Sequence, residues 1–152
     1  MHAIGRSQNC DGRPIPPANL HLTLAFLGSV PDSRIAACRS AVASLAPLDA
    51  TLRLDRLGFW GRAGILWLGP SQPVEALTDY VGRLRDALRG AGFPVETRPF
   101  KVHVTLARKC RQVPLRHPVD AIDWPLWRID LIASRLDPKG ARYRSLCHWP
   151  DA

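Results

Sequence analysis

One six-residue pattern occurs twice in this chain and limits what it can fold into. Leu20-His21-Leu22-Thr23-Leu24-Ala25 and Val102-His103-Val104-Thr105-Leu106-Ala107 both read apolar, His, apolar, Thr, Leu, Ala. Side chains alternate across a β-strand, so a His and a Thr two apart share one face. The interleaved Leu20, Leu22 and Leu24, or Val102, Val104 and Leu106, then face a core. Each segment offers an imidazole and a hydroxyl side by side on an otherwise apolar strand. An internally duplicated fold that joins two such strands places two imidazoles and two hydroxyls around one cleft.

The remaining chain supplies alternating strands and helices. Met1 to Pro17 is irregular, ending in a proline-rich run that suits neither a helix nor a central strand. Leu20 to Leu27 reads as a buried strand closed by Gly28, with Phe26 on its core side. A helix starts at Pro31-Asp32, carries Ile35, Cys38, Val42 and Leu45 on one face, and ends by Pro47. Thr51 to Phe59 alternates as one strand, and Ile65 to Leu68 follows a glycine-rich turn. The clearest helix starts at Pro73, with Val74, Leu77, Val81, Leu84 and Leu88 at helical spacing, and stops at Gly90-Ala91-Gly92. Phe100 to Ala107 is a strand, a loop carries Trp124, and Trp127 to Arg135 and Ala141 to His148 are strands joined by Asp137-Pro138-Lys139-Gly140. The alternation predicts one α+β domain over residues 1–152 with mixed strand pairing.

Composition narrows the class. At 152 residues, 46% hydrophobic and 22% charged, the chain matches a globular domain. Its apolar runs are too short to span a bilayer, and its first residues lack a signal-peptide core. A cytosolic protein with no membrane partner is expected. The net charge is +8, and all basic residues but Lys101, Lys109 and Lys139 are arginines. An arginine excess favours phosphate or nucleic-acid partners, or reflects coding bias. Cys10, Cys38, Cys110 and Cys147 are scattered without a Cys-x-x-Cys pair, so free thiols are expected, Cys38 packed on a helix face.

A lone strand His is more often structural than chemical, and repetition is what shifts the balance. Two histidines suit metal-free phosphoryl chemistry: one takes a proton from the nucleophile and the other gives one to the leaving oxygen. Thr23 and Thr105 can donate to non-bridging phosphate oxygens as charge builds there. No nearby ligands complete a zinc set, no nucleophile elbow is present, and no phosphate loop ends in Lys-Ser/Thr. Neither metal nor cofactor is expected.

Asn19-Leu20-His21-Leu22-Thr23-Leu24-Ala25-Phe26-Leu27-Gly28 and Val102-His103-Val104-Thr105-Leu106-Ala107-Arg108 resemble the paired signatures of the two-histidine (HxTx) phosphoesterases. Within them the chain is similar to the RNA 2′,3′-cyclic phosphodiesterases, also called 2′-5′ RNA ligases. The likeness runs through Leu52 to Gly58 and Leu66 to Gly69 to Ser134, Gly140, Tyr143 and Trp149. It implies a bilobal α+β fold with pseudo-twofold duplicated sheets around a central cleft, one motif from each lobe. It implies His21 as proton donor, His103 as proton acceptor, and Thr23, Thr105 and Arg108 on phosphate. The implied reaction opens an RNA 2′,3′-cyclic phosphate to a 2′-phosphate, with tRNA-like fragments among the substrates and 2′-5′ ligation as the reverse.

Strict alternation, however, sets Arg108 on the face opposite His103 and Thr105. The family's first strand and helix are missing from Met1 to Pro17, which predicts a monomer whose exposed sheet edge can promote association. Two other readings stand beside the leading one: a phosphodiesterase for small cyclic nucleotides or 2′-5′ oligonucleotides, and a non-catalytic RNA-binding module.

Overall fold

A computed structural model of the chain describes residues 1, 10–112, 119–137 and 140–150. The chain divides into two compact units, each assembled from three stretches. The first holds Met1–Thr23, Thr51–Pro73 and Lys101–Trp124, and the second holds Leu24–Ala50, Val74–Phe100 and Pro125–Ala152. The architecture is α+β, with antiparallel pairs in the sheet of the first unit and in the hairpin of the second.

The first unit is built on a four-stranded sheet. Its strands are β1 (Arg13–Pro14), β3 (Arg56–Trp60), β4 (Ile65–Gly69) and β5 (Val104–Arg108), in the order β1-β5-β4-β3. Separately, β2 (Ala50–Leu54) pairs with β6 (Ile122–Leu126). Leu66, Leu68, Val104 and Ala107 are wholly buried, which gives the four-stranded sheet one apolar face, and Leu52 and Leu54 of β2 are wholly buried as well. Pro14 fits β1 because an edge strand has no outer ladder for its missing N–H to serve. A 3-10 turn at Gly61–Ala63 joins β3 to β4 and ends at Gly64, which has φ +60°. A Cβ there would also stand 2.8 Å from the Cys110 carbonyl oxygen, so the position needs glycine twice over.

The second unit contains α1 (Ile35–Ala43), α2 (Glu75–Gly90) and the hairpin of β7 (Ile129–Asp137) and β8 (Gly140–Trp149). The two helices pack together. Leu77, Tyr80, Val81, Leu84 and Leu88 bury one stripe of α2, the face its apolar spacing predicts. The Arg34 guanidinium donates to the Ala91 carbonyl at the end of α2 and lies over the Phe93 ring, 4.9 Å from its centroid. In the hairpin, the Arg128 guanidinium holds the Asp130 carboxyl below the ordinary carboxylate value, with help from the Ser145 hydroxyl.

Several expectations are corrected. Leu20 to Leu27 is not a continuous strand: Leu22 makes a single bridge to Val104, flanked by a 3-10 turn at Pro17–Asn19. Phe26 is 67% exposed rather than packed in a core. Thr51 to Phe59 is two strands in two sheets, parted at Asp55. The Asp55 carboxylate accepts the Ser71 hydroxyl at 2.9 Å and the Ser71 N–H at 2.7 Å, and these bonds hold its carboxyl below the usual value. Trp124 lies in β6 rather than a loop. Arg13 and Pro14 are not irregular but paired with Arg108 and Ala107. The first helix ends at Ala43, before Leu45. Pro138 and Lys139 of the expected turn lie outside the described residues, as do residues 2–9 of the irregular N-terminus.

The cysteine reading also changes. Cys10 and Cys110 form a disulfide across 100 residues of sequence, with Cα atoms 6.0 Å apart. Cys38 and Cys147 remain free thiols, and burial raises the Cys38 pKa above its ordinary value.

Candidate active site

The Leu22–Val104 bridge is antiparallel and joins the midpoints of the two repeated motifs. Counting one step outward in each direction sets His21 opposite Thr105 and Thr23 opposite His103. Residues opposite one another across antiparallel strands share a face, so all four lie on the face away from Leu22 and Val104. The two histidines are then diagonal neighbours across the bridge. His21 and Thr23 fall in the first unit with His103 and Thr105, while Leu24 and Ala25 of the first motif fall in the second.

The imidazoles are held alike. His21 Nδ1 lies 2.7 Å from the Asn19 carbonyl oxygen, and His103 Nδ1 lies 2.8 Å from that of Lys101. A carbonyl only accepts, so each Nδ1 carries the proton, and Nε2 is the atom through which each ring can take or give a proton. A neutral ring in this tautomer offers a lone pair at Nε2; a protonated one offers a proton from the same atom. His21 and Thr23 are exposed, His103 is half-buried, and Thr105 is buried, with 8% exposure. His103 also packs edge-on against Trp60, with ring centroids 4.7 Å apart.

Arg108 reaches this same face through an irregularity. Along β4, Trp67 pairs with Thr105, Leu66 with Ala107 and Ile65 with Arg108, so Leu106 is an extra residue on β5. A bulge of this kind resets the alternation. Leu106 and Ala107 are both buried, and Arg108 emerges exposed on the side of Thr105. Strict alternation therefore fails here, and the expectation of an opposite-facing Arg108 is corrected.

Gly58 and Trp60 of β3 pair with Trp67 and Ile65, which brings them onto this face as well. The Trp67 indole lies over Gly58, where any Cβ would run into the ring. Trp60 in turn stacks at a tilt on Trp67, with centroids 5.4 Å apart. We expect Gly58→Ala to cost about 1–3 kcal/mol of stability by overpacking, read as a lower urea midpoint. An unchanged midpoint would mean that Trp67 has room to move aside.

Among the described residues no group of three or more His, Cys, Asp or Glu is placed to hold a metal ion. No described helix is long and apolar enough to cross a membrane.

A model of the LigT-like phosphoesterases matches residues 4–67 and again 68–143, one motif in each match. The chain belongs to the LigT-like phosphoesterase family. It is 34% identical over 140 residues to the RNA 2′,3′-cyclic phosphodiesterase of Escherichia coli, covering 91% of this chain and 79% of the relative. It is 33% identical over 147 residues to the enzyme of the same name from Thermus thermophilus, covering 88% and 73%. The crystal structure of E. coli LigT complexed with 3′-AMP superposes with a TM-score of 0.84 at 31% identity, over 97% of this chain and 91% of that one.

Trp60 and Arg13 complete the site face of this LigT-like chain and were not singled out in the sequence. Trp60 had a faint signal, since it stands two residues from Gly58 on one strand face. Arg13 had none. Its place follows only from the two-residue pairing of β1 with β5.

Proposed function

We propose that this LigT-like phosphoesterase opens RNA 2′,3′-cyclic phosphate ends to 2′-phosphates by metal-free acid–base catalysis. The observation that supports the reading is the antiparallel Leu22–Val104 bridge, which pairs the central residues of the two His-x-Thr motifs. His103 Nε2 takes a proton from water as its oxygen attacks phosphorus. The bond from phosphorus to O3′ breaks, and His21 Nε2 gives its proton to that departing oxygen. Thr23, Thr105 and Arg108 donate to the non-bridging oxygens, whose charge grows on the way to the transition state. His21 as acid and His103 as base follow the family resemblance, because the two rings are held in the same way.

With an RNA 5′-hydroxyl attacking phosphorus in place of water, and O3′ again leaving with a proton from His21, the same groups form a 2′-5′ linkage. The proposed partner is an RNA end, tRNA-like fragments included. The chain works as a monomer in the cytosol.

The test is hydrolysis of adenosine 2′,3′-cyclic phosphate with EDTA present and the product identified by phosphorus NMR. Steady turnover to the 2′-phosphate, unchanged by chelation, is expected. No turnover, a 3′-phosphate product, or activity restored only by a divalent ion would count against the mechanism.

A further inference from the structure

Arg13 and Arg108 stand directly opposite one another on β1 and β5. Residues so paired share a face, and like charges in that relation repel and destabilise the pair. Both residues are exposed, and neither guanidinium makes a hydrogen bond or ion pair among the described residues. The arrangement is firmly set all the same. The Cys10–Cys110 disulfide closes the strand pair just beyond it. Gly12 lies so near β5 that a Cβ would stand 2.5 Å from the Arg108 carbonyl oxygen. Two cations are thus held side by side with no anion of the described chain between them.

The site face gives the pair a direction. The bulge at Leu106 turns Arg108 to the side of Thr105, and Arg13 follows by register. Measured along β4, the arginine row at Ile65 lies two residues from the Thr105 row at Trp67, roughly 7 Å away. That offset is comparable to the step between successive phosphates of an extended nucleic-acid strand. Paired guanidinium forks match a phosphodiester, and an anion between them relieves their repulsion.

We propose that Arg13 is a second phosphate-binding residue, acting beside Arg108 on the phosphodiester that precedes the cyclic phosphate. The enzyme then prefers an RNA chain end over a free cyclic mononucleotide. This rests on the phosphodiesterase reading above.

The test compares wild type and Arg13→Ala on three substrates: adenosine 2′,3′-cyclic phosphate, a diadenosine dinucleotide ending in the same group, and that dinucleotide with a neutral methylphosphonate linkage. Wild type should favour the charged dinucleotide. Arg13→Ala should lower that preference roughly 10- to 100-fold in kcat/KM, the yield of one charge-assisted contact, chiefly through KM. The salt dependence on the charged dinucleotide should weaken by roughly one phosphate contact, and Arg13→Lys should restore part of it. The neutral linkage should behave like the mononucleotide.

Equal losses on all three substrates, or no loss on any, would overturn the assignment of Arg13. Wild type inert on all three would overturn the phosphodiesterase reading itself, and this inference with it.

Discussion

Alanine in place of either His21 or His103 is expected to lower the rate of cyclic-phosphate opening by roughly 10²- to 10⁴-fold, the usual contribution of one positioned proton-transfer group. Neither change should cost much stability. His21 is exposed and His103 half-buried, and each Nδ1 donates to a backbone carbonyl two residues earlier. The double variant should fall far short of the product of the two losses, because acid and base serve one bond exchange. Single-turnover rates on a cyclic mononucleotide, with circular dichroism as the folding control, check this. Two folded variants at wild-type rate would remove both histidines from the mechanism.

Reduction of the Cys10–Cys110 disulfide should produce the largest change in stability. The bond closes a separation of 100 residues. Constraint of the unfolded chain over such a loop gives about 4–5 kcal/mol at most, and measured values centre near 2–4. β1 is only two residues long, so it depends on this tether more than a longer strand would. Urea unfolding with and without a phosphine reductant should show a clearly lower midpoint after reduction. Cys10→Ser should reproduce it without reductant. A midpoint that does not move would show the two thiols unlinked in solution.

What could be read from the sequence was set by local patterning. The stripe on α2 and the alternation of β4 are repeated several times within one element, so period alone locates them. The second motif falls where expected, although its strand begins only at Val104. The first motif shows the same alternation yet gains only one bridge, because pairing is a property of two chains and the pattern describes one. The break at Asp55 depends on bonds to Ser71, sixteen residues away, and the link from Cys10 to Cys110 on closure across nearly the whole chain. Neither leaves a local trace. The face of Arg108 was not legible for a similar reason, since alternation and the family resemblance pointed opposite ways. One extra residue at Leu106 inverts every later position, and a bulge is visible only in the register against β4.

The central claim is that His21 and His103 divide acid and base between them. A pair acting in this way needs one ring neutral and the other protonated, which gives a bell-shaped dependence of rate on pH. The base must be neutral, which produces the acidic limb; the acid must be protonated, which produces the basic limb. The decisive measurement is the pH–rate profile of wild type beside His103→Ala and His21→Ala on one cyclic substrate. His103→Ala is expected to lose the acidic limb and His21→Ala the basic one. Loss of the opposite limbs would exchange the two roles, and a bell that survives intact in both variants would contradict the paired mechanism altogether.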